Sequence, residues 1–319
     1  MDPLTVDLPD GRRVAYLDGG DPAGYPVIGL HGTPGCRLNR LPDDSVYARA
    51  GIRYVTTDRA GYGQSSRHHG RVVADEAADV RAVADALGLN TFSVIGGSGG
   101  GPHALACAAL LPGRVERVAC QSSLAPLGGG GLRRDEWLHQ MAPDAAEALA
   151  WAEAGEDHLT SRITSALDRM ERALESDPAS FLGEGMSAGD QEVLARPEVV
   201  EVFARIMAEQ SAHGVGGSVD DTLAFARPWG FELATITVPV LLTYGLQDFS
   251  CPPDHGRWLA RHLPTATVVV DATGGHLPQD LGSEIATVFG WLRTGELPAS
   301  AGQAPGGDDP SRKSTIAGQ

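Results

Sequence analysis

The sequence predicts an α/β protein built on a doubly wound, mostly parallel sheet that is interrupted by an α-helical insert. Three observations predict it. Short apolar, β-branched runs alternate with helical periodicity through residues 1–123, and the same rhythm resumes at residue 235. Between them, over 124–234, strand signals vanish and helical ones dominate. The stretch Gly96-Gly97-Ser98-Gly99-Gly100 joins an apolar run, Phe92-Ser93-Val94-Ile95, to an Ala/Leu run beginning at Pro102. Strand, sharp turn tipped by Ser, then helix is the setting of a nucleophile elbow. Gly96 and Gly100 lack a Cβ, and so tight a turn needs that clearance.

In chain order, Thr5–Leu8 and Arg12–Leu17 read as strands joined at Pro9-Asp10-Gly11, a hairpin signal. Val27–Leu30 is a short apolar strand running into His31-Gly32-Thr33-Pro34-Gly35, where a cis Thr33–Pro34 bond is expected to shape the loop. Ile52–Thr56 is a strand ending at Asp58-Arg59-Ala60-Gly61. Val72–Leu87 carries Val80, Val83, Ala84 and Leu87 at helical spacing, with Gly88 as its stop. The elbow strand and helix follow, then a strand at Val115–Cys120. In the insert, helices are expected at 132–141, 143–154, 158–176, 197–212 and 219–226, Pro143 and Pro197 suiting first-turn positions. Val238–Gly245 and Thr267–Val270 are the last strands, with helices at 255–263 and 281–292. Residues 294–319, rich in Gly, Pro, Ser and Asp, read as a disordered tail. The organisation is thus a core of 1–123 and 235–293, a helical cap of 124–234, and the tail.

The 319 residues carry 41 acidic and 25 basic side chains, a net charge of −16. That balance argues against nucleic-acid and anionic-membrane partners, and its plain meaning is solubility; the partner expected is a small-molecule substrate. The segment 124–234 holds 20 acidic and 8 basic residues, so 12 of the 16 excess negative charges lie there. Cys36, Cys107, Cys120 and Cys251 are widely spaced and form neither a disulfide framework nor a zinc motif. The N-terminus has no signal-peptide pattern and no apolar run reaches spanning length, so the expected location is cytoplasmic.

A neutral Ser hydroxyl is a weak nucleophile, requiring a base, an acid that orients the base, and donors for the oxyanion. Each loop after a strand offers one candidate. Ser98 is the nucleophile, His276 the base and Asp248 its orienting carboxylate, with Asp254 and Asp271 as nearby alternatives. The order Ser, Asp, His is the one a nucleophile elbow on a doubly wound sheet takes. The backbone N–H groups of Gly99 and Thr33 are the expected oxyanion donors, Pro34 having none to offer. This chemistry calls for no cofactor and no metal. His31 is expected to shape its loop by hydrogen bonds, and His103 to pack in a buried helix.

With these motifs, together with Asp58-Arg59-Ala60-Gly61-Tyr62-Gly63-Gln64-Ser65, Gly245-Leu246-Gln247-Asp248 and Gly275-His276, the chain resembles an α/β-hydrolase-fold enzyme with a helical cap over about residues 10–293. The resemblance implies a lid over the serine and a pocket lined in part by the lid. By position at the lid's two junctions, Leu124, Trp229 and Phe231 are candidate lining residues, Trp229 and Phe231 otherwise simply anchoring the lid. Ser at the nucleophile position argues against epoxide hydrolases and haloalkane dehalogenases of this fold, which use Asp. Proline iminopeptidases are similar in the cap but carry an H-G-G-P-G loop and a G-G-S-W-G elbow, from which Thr33 and Gly99 depart. Gly97 and Gly99 imply extra room beside the nucleophile. Three functions follow from this reading: hydrolysis of a carboxylic ester or lactone through an acyl-enzyme on Ser98, an aminopeptidase-like amidase whose acidic lid holds an ammonium group, or a non-hydrolytic protein of the same fold.

Overall fold

A computed structural model describes residues 2–176 and 186–298. Its centre is an eight-stranded sheet with spatial order β1-β2-β4-β3-β5-β6-β7-β8. The strands are β1 (Leu4–Asp7), β2 (Arg13–Gly20), β3 (Tyr25–Leu30), β4 (Ile52–Thr57), β5 (Phe92–Gly97), β6 (Val115–Gln121), β7 (Val240–Gly245) and β8 (Ala266–Asp271). The first two pairings, β1 with β2 and β2 with β4, are antiparallel, and the remaining five are parallel. The central strands β3 and β5 are buried along most of their length, as a sheet covered on both faces requires.

Two apolar cores sit on the two faces. One face packs against α2 (Glu76–Ala86), α3 (Gly100–Leu110) and α10 (Pro253–His262), with Val80, Val83, Leu105 and Leu259 at its heart. The other packs against α1 (Ser45–Arg49) and the C-terminal helix, through Tyr47, Tyr54, Ile95, Phe289 and Leu292. That last helix is three pieces: α11 (Leu281–Glu284), a π-helical turn (Ile285–Phe289) and α12 (Gly290–Thr294). Gly295 closes it in the left-handed conformation, φ 80°. The expected tail begins where this helix ends, and from residue 299 it lies outside the described residues.

Between β6 and β7 the described residues form α4 (Arg134–Trp137), α5 (Pro143–Glu153), α6 (Glu156–Ser176), α7 (Ala188–Leu194), α8 (Pro197–Gln210) and α9 (Gly216–Phe225). Pro143 and Pro197 do open their helices, where a missing N–H costs nothing. In α6, Leu159, Ile163 and Leu167 recur every fourth residue and pack on Val219 and Leu223 of α9. The helix expected over 132–141 is only one turn, and α7 stands where no helix was expected. Its start is a capping box: Ser187 Oγ accepts from the Asp190 N–H, and Asp190 reaches back to the Ser187 N–H.

One buried ionic cluster fastens this helical segment to the sheet. Asp221 of α9 is fully buried, and its carboxylate meets Arg59, which follows β4, and Arg71 at 2.7 Å. Tyr62 donates to it at 2.8 Å and Thr33 Oγ1 at 2.5 Å. Burial opposes its charge, but the two guanidinium groups outweigh that and hold the carboxyl well below the usual range. Two cations share this one carboxylate inside the protein, so removing it strands both. Asp221→Ala is therefore expected to cost about 3–5 kcal/mol of stability, read from urea denaturation. A loss below about 1 kcal/mol, the scale of an exposed pair, would show the cluster to be solvated.

Candidate active site

The elbow is built as tightly as its glycines imply. Ser98 has φ 54°, a left-handed conformation that a non-glycine residue adopts only under constraint. Its N–H is fixed by the Gln121 carbonyl at 2.8 Å. A Cβ on Gly96 would lie 2.3 Å from the Gly100 carbonyl oxygen, and one on Gly100 would lie 2.2 Å from that of Leu30. Strand β5 and helix α3 can meet at this angle only with both side chains missing. The next two glycines part company. A Cβ on Gly97 would find only the Gln121 carbonyl, 4.0 Å away, whereas one on Gly99 would collide with Thr33 Oγ1 at 2.4 Å. The room expected beside the nucleophile exists at Gly97 and is filled by Thr33 at Gly99.

The loop after β7 presents Asp248, buried at 1 % exposure, and the loop after β8 presents His276. Asp248 Oδ2 lies 2.9 Å from His276 Nδ1 and Oδ1 lies 3.1 Å from it. Asp248 Oδ1 also accepts the N–H groups of Ser250 and Cys251, both at 2.8 Å, which fixes the carboxylate's plane. The two alternative carboxylates are employed elsewhere. Asp254 meets His139 and Arg257, and Asp271 accepts from the N–H groups of Thr273 and Gly274. Ser98 and His276 line one cavity of about 710 Å³. No hydrogen bond joins their two side chains among the described residues, His276 Nδ1 being engaged by Asp248. Such contacts often tighten only when substrate arrives.

The loop after β3 closes the other side. The Thr33–Pro34 bond is cis. A Cβ on Gly32 would lie 3.3 Å from Ser98 Cβ, so this loop runs directly against Ser98. Neither the Thr33 nor the Gly99 N–H has a hydrogen-bond partner among the described residues. His31 holds the loop as expected: its Nε2 accepts the Arg59 N–H at 3.1 Å, and burial keeps its pKa well below that of free imidazole. His103 is fully buried on α3, 3.3 Å from Asp221, and burial pushes it down to about 4.

Two residues that hold the site escape a reading of the sequence. Asp190 of α7 is 1 % exposed and accepts the His276 N–H at 3.0 Å and the Leu277 N–H at 2.7 Å. A helix from the segment between β6 and β7 thereby grips the backbone of the histidine loop. Asp221 of α9 grips the Thr33 loop through Thr33 Oγ1 and Arg59 in the same way. The Ser187-x-x-Asp190 capping-box spacing is the one sequence signal that could have flagged the first. Leu124, Trp229 and Phe231 do not line the cavity. Leu124 and Trp229 are buried in the large core and Phe231 packs against it, the Trp229 and Phe231 rings tilted at 30° with centroids 6.0 Å apart. The cavity's apolar roof comes instead from α6 to α8, including Met170, Leu194, Val202, Phe203 and Met207.

A family model described as the alpha/beta hydrolase fold matches residues 25–283. A proline iminopeptidase of Xylella fastidiosa is 29% identical over 299 residues, covering 86% of this chain and 89% of its own. A pimeloyl-[acyl-carrier protein] methyl ester esterase of Neisseria meningitidis is 26% identical, covering 66% of this chain and 73% of its own. Among solved structures, a thermophilic esterase from Thermogutta terrifontis superposes with a TM-score of 0.63 at 20% identity, over 92% of this chain and 100% of its own.

Burial alone would lower the pKa of His276. The charge of Asp248, its hydrogen bond to Nδ1 and the charge of Asp190 outweigh burial, and the imidazole is raised. In an NMR titration, Asp248→Asn is expected to lower the His276 pKa, and Asp190→Asn to lower it by less, since it loses a charge but not the Nδ1 bond. A larger drop in Asp190→Asn would reverse that ranking.

Proposed function

Since the chain belongs to the alpha/beta hydrolase fold family, we propose that it is a serine hydrolase that cleaves a carboxylic ester or lactone. The observation that carries this reading is the Asp248 carboxylate on His276 Nδ1, in one cavity with a Ser held at φ 54° between strand and helix. In the proposed reaction, Ser98 Oγ attacks the carbonyl carbon as His276 Nε2 takes the hydroxyl proton. The carbonyl oxygen becomes an oxyanion between the N–H groups of Thr33 and Gly99, which support this role by being unpartnered and adjacent. The C–O bond breaks, the alcohol leaves with the proton from His276, and an acyl-enzyme remains. Water then gives its proton to His276 and its oxygen to the acyl carbon, releasing the acid and restoring Ser98. Asp248 keeps the proton on Nδ1 and stabilises the imidazolium throughout. The raised pKa of His276 sets the base form above the usual imidazole range.

The helical segment between β6 and β7 acts in this reading as a cap. Its methionine-rich roof suits an apolar substrate group, Met being adaptable to varied shapes. Four buried free thiols fit a reducing, cytoplasmic compartment, and no described helix is long and apolar enough to cross a membrane. An amidase with aminopeptidase-like recognition is the second reading. It is favoured by the match to a proline iminopeptidase over most of both chains.

A fluorophosphonate is expected to label Ser98. Ser98→Ala should lower ester turnover by at least about a thousandfold. Paired p-nitrophenyl esters and p-nitroanilides separate the two readings. Ester turnover without anilide turnover supports the first, and anilide turnover that N-acetylation abolishes supports the second. Undiminished turnover in Ser98→Ala would remove Ser98 as the nucleophile, and turnover of neither substrate class by the wild type would favour a non-hydrolytic protein.

A further inference from the structure

The cavity that holds Ser98 is also lined by Glu284, Ile285 and Phe289 of the C-terminal helix. Gly29 of β3 and Gly97 of β5 contribute no side chain, and both line the space. Gln121 of β6 pairs with Gly97 across the sheet, one strand spacing of about 4.8 Å away. At the far wall stands Glu284, the last residue of α11, whose Oε1 accepts from Gln121 Nε2. Its other oxygen has no hydrogen-bond partner among the described residues.

No described cation is paired with Glu284. Arg40, the guanidinium lining the same cavity, is engaged by Asp44, the Tyr54 carbonyl and Thr56 Oγ1. Tyr47, Tyr54 and Phe289 form the neighbouring wall, their ring centroids 4.6, 5.0 and 5.4 Å apart. Arg40 lies 5.3 and 5.1 Å from the two tyrosine rings, and Asp44 balances its charge. The compartment is thus an aromatic and carboxylate pocket with one acceptor unspent. Desolvation holds the Glu284 carboxyl up at about 7, against the hydrogen bond from Gln121. A partner cation is what would relieve such a group.

We infer that the Gly97–Gln121–Glu284 compartment binds a protonated amine carried on the acyl chain of the substrate, with Glu284 as its counter-ion. The inference rests on the serine hydrolase reading for the word acyl, but not for the binding itself. An amine there is seated by a charge-assisted hydrogen bond to Glu284. The passage depends on Gly97, since any larger side chain there would enter it.

The test has a catalytic arm and a binding arm. In the first, an ω-aminoacyl p-nitrophenyl ester is compared with the neutral alkanoyl ester of equal length and with the acetyl ester. The wild type is expected to prefer the amine-bearing ester, and Glu284→Gln to lower that preference about tenfold or more, the scale of a hydrogen bond to a charge. Gly97→Leu, a second and independent variant, should shift the preference from the ω-aminoacyl to the acetyl ester. In the binding arm, n-hexylammonium should raise the melting temperature of Ser98→Ala, and the rise should vanish in Ser98→Ala/Glu284→Gln. An unchanged ester preference in Glu284→Gln, or no thermal shift with the ammonium ion, overturns the inference. If no ester is turned over at all, the hydrolase reading fails while the thermal shift still decides whether Glu284 binds an amine.

Discussion

Asp221 is the point on which the molecule turns. It is a carboxylate with no access to water, shared by two arginines, a tyrosine, a threonine and a histidine drawn from the loop after β3, the segment after β4 and helix α3. Burying an ion pair yields little net stability, but leaving any member unpaired is severely unfavourable. The cluster therefore works as a condition on folding. The loop after β3, the turn after β4, helix α3 and helix α9 must all arrive before any of these charges is matched. Among those arrivals is Thr33, so the backbone beside Ser98 is set by the same condition.

Asp190 extends this logic to the opposite side of the cavity. The helical segment inserted between β6 and β7 does more than line the cavity that holds Ser98. It supplies one carboxylate to the loop that carries His276 and another to the loop that carries Thr33. Smaller ties run alongside: Glu209 of α8 meets Arg37 at 2.5 Å, and Arg37 in turn meets Asp58 at 2.6 Å. The catalytic geometry proposed for Ser98 is thus over-determined from both layers. That is how a strained serine conformation persists in a folded protein.

What was legible in the sequence follows from what is local. Ser98 announced itself because the strand, the turn and the helix that shape it are contiguous. Asp248 and His276 were legible through their positions after strands, and the structure joins them at 2.9 Å. The Asp190 and Asp221 contacts were not legible, because each depends on where a helix docks, and neither residue type nor spacing encodes docking. Leu124, Trp229 and Phe231 show the same limit from the other side. Standing at a junction says nothing about which way a side chain points, and all three point into the core. Gly97 and Gly99 looked alike in sequence, yet Thr33 fills the space above one and nothing fills the space above the other. In the C-terminal helix the span was close, but its central π-helical turn has no signature that a periodicity of 3.6 could reveal.

The buried cluster also decides how freely this architecture can be rearranged. A fold whose extra helices rested on it through greasy contacts alone could lose them, or trade them for another protein's, at the cost of some newly wetted surface. Here Arg59 and Arg71 belong to the sheet layer while their counter-charge belongs to the inserted helices. Excising those helices would leave both guanidinium groups without the carboxylate they share. A chimera that swaps the segment must carry a carboxylate to that one spot or rebuild both arginines as neutral residues. The two layers form a single inheritance unit, although they look like a module set upon a scaffold.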